Sequence, residues 1–144
     1  MTRPMMYQRA NEDFEAYLLD ARERLDTPSR NVAYTSTDGV FRAFRARLEI
    51  QQALDFANVL PAVLRAIFVQ DWVPTPPQPW GGRKDWTREA KLLRQHHNLS
   101  PDTVVADVAW ALRRHVDEAA FEAVLARLPQ EARAFWGTDP NSRT

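Results

Sequence analysis

Leu60-Pro61-Ala62-Val63-Leu64-Arg65-Ala66-Ile67-Phe68 is followed, 68 residues further on, by Leu128-Pro129-Gln130-Glu131-Ala132-Arg133-Ala134-Phe135-Trp136. Each stretch has proline as its second residue, which tolerates the first turn of a helix because the N–H it lacks has no partner there. The same offset aligns Val40–Phe68 with Val108–Trp136 without a gap, and seven of the 29 positions are identical. These are Val40/Val108, Ala43/Ala111, Arg45/Arg113, Leu60/Leu128, Pro61/Pro129, Arg65/Arg133 and Ala66/Ala134. Phe44/Leu112, Leu48/Val116, Phe56/Val124, Ile67/Phe135 and Phe68/Trp136 are apolar in both. The chain therefore reads as a duplicated helical unit. One unit of about 65 residues is marginal by itself, whereas two with matching stripes shield each other.

Working outward, apolar residues at three- and four-residue steps give about eight helices, some of them short. Phe14, Tyr17, Leu18, Ala21 and Leu25 mark the first, over about Tyr7–Leu25. Thr27-Pro28 opens a second, weak at Thr35–Gly39 and strong at Val40, Phe41, Phe44 and Leu48, with Thr27 as the expected cap. A third over about Gln51–Val59 is expected to bury Leu54, and Pro61 opens a fourth. Pro74, Pro76, Pro77 and Pro79 then forbid a long helix. Gly81-Gly82 reads as a flexible joint. Asp85 is the expected cap of a fifth helix with Trp86, Ala90, Leu93 and His97 on one face. Ser100-Pro101-Asp102 is the expected start of a sixth, Asp117 caps a seventh, and Pro129 opens the last. The fold class is all-α: a single compact domain of two similar units in a pseudo-twofold relation. Unit one covers about 8–72, a proline-rich linker 73–85, unit two about 86–136, and a tail 137–144.

Composition narrows the chemistry. Of 144 residues, 44% are hydrophobic and 26% charged, as in ordinary globular domains. There is no cysteine, which excludes disulfides, thiolate nucleophiles and Cys-ligated metal sites. Basic and acidic side chains balance at 19 each, with 9 and 10 up to Trp72 and 10 and 9 beyond it. Neither half carries the positive surplus that drives binding to a phosphate backbone. No apolar run approaches the roughly 20 residues of a membrane span, and no apolar segment follows Arg3 and Arg9 to make a secretion signal. A cytoplasmic location is the expectation.

The run Leu60–Trp72, with its proline-containing linker and new helix at Trp86, resembles the DUF2267 family. So do Arg42-Ala43-Phe44-Arg45-Ala46-Arg47-Leu48 and Leu128–Trp136. The likeness spans roughly Phe14 to Trp136. Asp71 stands where the family usually has glycine. The resemblance implies a bacterial, helical, duplicated domain; it implies no activity and supplies no catalytic residues.

The candidate chemistry is sparse, and no catalytic residue, metal ligand set or cofactor site emerges. His96 and His97 are sequence neighbours, turned about 100° apart on a helix, and His115 lies on another element. A metal would need a carboxylate such as Glu89 or Asp107 brought alongside. Acidic clusters such as Glu12, Asp13 and Glu15 sit at helix starts, where free amides and the dipole favour them. Ser29, Ser36 and Ser100 are in no nucleophile elbow, and Gly81-Gly82-Arg83-Lys84 lacks the spacing of a phosphate loop. Arg83, Lys84, Arg88, Lys91 and Arg94 form the strongest basic run, flanked by Trp80 and Trp86 and opposed by Asp85 and Glu89. It is either a nucleic-acid or anion contact or a solvated helix face with Glu89 near Arg88 or Arg94. Trp80, in the linker, and Trp110, about 200° around its helix from Val108, are either core-edge packing or partner anchors. Arg65 and Arg133, beside Pro61 and Pro129, have an expected structural role: bonding carbonyls at a neighbouring helix end or pairing a carboxylate.

Three functions fit this reading. The first is a non-enzymatic interaction or regulatory module whose partner is another protein or a second copy. The second is nucleic-acid association through 83–94, and the third a small-molecule pocket at the seam between units.

Overall fold

The computed structural model describes residues 4–94 and 100–141, which hold helices, turns and irregular segments and no strand. The elements are α1 (Met5–Gln8), α2 (Ala10–Leu25), α3 (Arg30–Arg45), α4 (Ile50–Ala57) and α5 (Ala62–Val69). After the linker come α6 (Arg83–Ala90), a 3-10 turn (Leu92–Arg94), α7 (Val104–Arg113), α8 (Glu118–Ala126) and α9 (Gln130–Phe135). None of the described helices is long and apolar enough to cross a membrane.

Several local signals act differently from their sequence reading. Ser29, not Thr27, caps α3: its Oγ accepts from the Val32 N–H at 3.1 Å, while Thr27 Oγ1 takes the Ser29 N–H. Gly82, not Asp85, precedes α6; Asp85 sits at the third helical position and its Oδ2 accepts from the Gly82 N–H at 2.9 Å. Ser100 is not the N-cap of α7, which starts only at Val104 after Thr103; its hydroxyl shares a hydrogen bond with Ser36 Oγ at 2.5 Å. Asp117 does cap α8, accepting from Ala119 N–H at 3.2 Å. Leu54 is 45% exposed, as α4 buries Ala53, Phe56 and Ala57 instead. Leu93 is also exposed, since α6 ends at Ala90 before that stripe continues. His96 and His97 lie outside the described residues.

The weak stretch of α3 is its most enclosed part. Thr35, Ser36, Thr37 and Asp38 are all buried, and the hydroxyls of Ser36 and Thr37 are met from other elements. Thr37 Oγ1 donates to the Ala33 carbonyl (2.8 Å) and shares a hydrogen bond with the Tyr17 hydroxyl of α2 (2.7 Å). Burial pushes the Tyr17 phenol well above its usual pKa. Asp38 Oδ1 accepts from Arg42 at 3.1 Å, and Gln70 donates to the Tyr34 hydroxyl at 2.7 Å. Beside this stretch, Gly39 lets α6 approach: a Cβ there would lie 2.1 Å from the Ala90 carbonyl oxygen. A residue with poor helix propensity is placed where only hydrogen fits.

α3 sits at the centre, touching α2, α5, α6 and α7. α2 packs chiefly on α7, and α6 chiefly on α3, so each half's leading helix lies on the other half's long helix. Aromatic rings fill the seam: Phe44 meets Phe135 at 4.9 Å and Trp136 at 5.4 Å, and Phe56 meets Phe121 at 5.6 Å and Trp136 at 5.5 Å. Ring contacts at these separations add to simple burial.

Two pairs of positions 68 residues apart do the same work. Pro61 and Pro129 immediately precede α5 and α9, with φ of −57° and −53°. Arg45 donates to the Phe68 carbonyl at 2.8 Å, and Arg113 donates to the Trp136 carbonyl at 2.9 Å. Each arginine thus satisfies an orphan acceptor at the end of the helix that follows its own by two. Arg45 also reaches the Gln70 carbonyl (2.9 Å), and burial holds its guanidinium below the usual pKa. Asp71, the residue after Gln70, has φ of +53°, the left-handed region that glycine enters most freely.

Candidate interaction surface

The linker is built onto the body rather than slung between two units. Trp72 is half-buried, with the Arg45 guanidinium 5.8 Å above its ring. From Val73, which is 79% exposed, through Pro79 every residue is exposed. Trp80 then folds back, its ring 5.9 Å from Phe44 and half-buried against the core. Its carbonyl accepts from Arg47 Nε (2.8 Å) and from the indole N–H of buried Trp86 (2.7 Å). Between the two tryptophans, the Gln78 N–H donates to the Ala46 carbonyl at 2.9 Å.

Arg47 organises this anchorage. Its side chain is buried, donates to the Ala43 carbonyl at 2.7 Å, and forms a two-pronged ion pair with Glu89 of α6. One guanidinium therefore joins α3, α6 and the linker. Gly81 takes φ of +62°, the left-handed region that glycine enters most freely, where the chain turns into α6. The strip between the anchors carries no charge over Val73–Gly82 and bends at Pro76. Val69, on the last turn of α5, is 39% exposed.

The basic run is divided among separate partners. Arg83 is half-buried, stacks over Trp86 at 5.7 Å and donates to the Ala134 carbonyl at 2.8 Å; burial lowers its pKa. Its Nε and Nη1 have no hydrogen-bond partner among the described residues. Arg88 pairs with Asp85 at 3.0 Å, and Lys91 with Asp102 at 2.6 Å. The Gly82 amide and Arg88 hold the Asp85 carboxyl below the usual range, and Lys91 does the same for Asp102. Lys84 is exposed and Arg94 ends the 3-10 turn. Glu89, read from sequence as a neighbour of Arg88 or Arg94, is taken instead by Arg47. No signal in sequence pointed to that pairing, which spans 42 residues.

Trp110 lies half-buried between two guanidiniums, Arg24 at 5.1 Å and Arg114 at 4.9 Å. Arg24 also approaches Asp107 (3.8 Å) and Arg114 approaches Asp20 (3.4 Å), so this tryptophan lies where α2 meets α7. Arg65 donates to the carbonyls of Ala57, Asn58 and Leu60 at the end of α4, whereas Arg133 faces Glu122 at 3.6 Å. The two arginines share no site.

His115 Nε2 and Asp20 Oδ2 are 2.6 Å apart and join the turn after α7 to α2, with the Tyr17 ring edge-on at 5.8 Å. Asp107 accepts from Thr103 Oγ1 at 2.6 Å, and burial raises its pKa. Among the described residues, no three of the His, Asp and Glu side chains converge as a metal-binding group.

The model of the family described as "Uncharacterized conserved protein (DUF2267)" matches residues 14–135. No curated protein matches the chain.

Proposed function

The chain belongs to the DUF2267 family, and from that premise we propose that it is a non-enzymatic interaction or regulatory module of the bacterial cytoplasm, docking a partner protein through the strip Val73–Pro79. One observation carries the reading: seven consecutive exposed, uncharged residues are secured to the core at both ends instead of being left loose. Exposed surface depleted of charge and bordered by aromatics is the composition of an interface centre. A strip already ordered loses little freedom when a partner binds.

The two other readings draw less support. In the basic run, Arg88 and Lys91 face carboxylates and Arg83 folds onto Trp86, which weakens any phosphate-binding face. The seam between the halves is occupied by phenylalanine and tryptophan rings. The two-unit organisation belongs to the same proposal: paired roles at Pro61/Pro129 and Arg45/Arg113 support descent from one doubled segment.

The test places a photo-crosslinking amino acid at Val73 or Thr75 of the full chain in its native cell, with exposed Glu118 as control position. Specific protein adducts from the strip, absent from the control, support docking. Adducts that are missing, or identical at both positions, overturn it.

A further inference from the structure

We infer that a second copy of this chain is a partner, the two copies exchanging halves through a hinge at Val73–Pro77. Each half depends on the other for its core. α2 packs chiefly on α7, and α6 chiefly on α3. Phe44 and Phe56 of the first half, both fully buried, lie against Phe121, Phe135 and Trp136 of the second. A chain whose halves have separated exposes apolar surface that only the matching half covers, whether its own or a neighbour's.

Exchange sacrifices none of the polar contacts between the halves. Ser36–Ser100, Asp20–His115, Arg24–Asp107, Arg47–Glu89 and Ala46–Gln78 all join residues before Val73 to residues after Pro77. Each can form between two chains with the same atoms in the same places. Val73–Pro77 makes no hydrogen bond among the described residues and is exposed and uncharged throughout, so it can take a new course with nothing broken. With 19 basic and 19 acidic side chains the chain has no net charge, and two copies do not repel. Two copies that each give and receive a half form a closed dimer, with no half left uncovered. What opposes exchange is the linker's own effective concentration, on the order of 1 mM for short linkers. The dimer should therefore be minor in dilute refolding and substantial as the chain nears that concentration.

The experiment exploits the absence of cysteine from the chain. Full-length Ser36→Cys and Ser100→Cys chains, one 15N-labelled, are refolded together from urea at chain concentrations from about 0.01 to about 1 mM. After oxidation they are resolved under denaturing, non-reducing conditions and identified by mass. The expected product is a disulfide-linked dimer of the two different chains, its share rising about tenfold or more across that range. Chains mixed only after refolding should give little of it, because both positions are buried. Wild-type chain refolded at the high concentration should contain a dimer by light scattering, with every described helix protected from hydrogen exchange as in the monomer. This second measurement decides the matter if a cysteine variant fails to refold. Absence of any wild-type dimer overturns the inference. So do disulfides joining only like chains, or a dimer that gains protection on the outer faces of its helices, since either marks two intact monomers in contact.

Discussion

Replacing Gly39 with alanine sets two effects of opposite sign against each other. In an exposed helix the change would stabilise by about 1 kcal/mol through propensity alone. Here the new Cβ would lie 2.1 Å from the Ala90 carbonyl oxygen and 3.0 Å from its carbon, both backbone atoms that no rotamer change removes. Carbon–oxygen contacts ordinarily settle at about 3.3–3.6 Å, so α6 must retreat by about 1 Å. A gap of that size forfeits a quarter to a half of the dispersion well for atoms facing it. Trp86 and Ala90, both buried against α3, lose contact first. An indole burying about 200 Å² at about 25 cal/mol per Å² stands to lose about 2 kcal/mol, and strain in the displaced helix adds about 1 kcal/mol. Set against the propensity gain, the net is a destabilisation of about 2 kcal/mol, or a melting temperature lower by about 4–8 °C. Urea unfolding followed by far-ultraviolet circular dichroism and tryptophan fluorescence reads this directly. A Gly39→Ala chain as stable as the parent would refute the claim that α3 and α6 meet backbone to backbone.

Arg47→Ala strands Glu89 and releases the Trp80 carbonyl, so it should cost about 3 kcal/mol and speed amide exchange at Gln78 and Trp80; hydrogen exchange by mass spectrometry checks both effects. Asp71→Gly removes a left-handed aspartate and should stabilise by about 0.5–1 kcal/mol in urea titration, the exposed contact with Arg42 counting for little. Arg45→Met leaves the Phe68 and Gln70 carbonyls without their donor and should destabilise by about 2 kcal/mol; the same change at Arg113 should act in the same direction through Trp136. Asp107 has its pKa raised by burial, so its favourable contribution is complete below the unfolded value of 3.8 and fades as pH rises through the folded one. The stability of Asp107→Asn relative to the parent should therefore increase from pH 4 to pH 7, measured by urea midpoints at each pH.

Helical content, the stripes at Val40–Leu48 and Val108–Leu112, and the Pro61 and Pro129 starts were all legible because each is a local pattern. What sequence misjudged was decided by distant partners. Thr35–Gly39 looks like a poor helix start, yet it is a buried part of α3, with the Thr37 and Ser36 hydroxyls met from Tyr17 and Ser100. Leu54 looks buried by composition, but the face of α4 that carries Ala53, Phe56 and Ala57 is the one turned inward. The candidate surface was half legible. Prolines announced an extended linker, but its attachment depends on Arg47, whose role only tertiary structure brings out. Asp71 gives the converse case: a departure from the family's usual glycine marks the place where the backbone enters the left-handed region.

The account turns on whether Val73–Gly82 is held as rigidly as the helices that flank it. Backbone 15N relaxation of the full chain measures this at Val73, Thr75, Gln78 and Trp80. Order parameters near 0.85, about equal to those of α3 and α6, are the predicted result. Values below about 0.6 across the strip would contradict it and return the linker to a flexible tether.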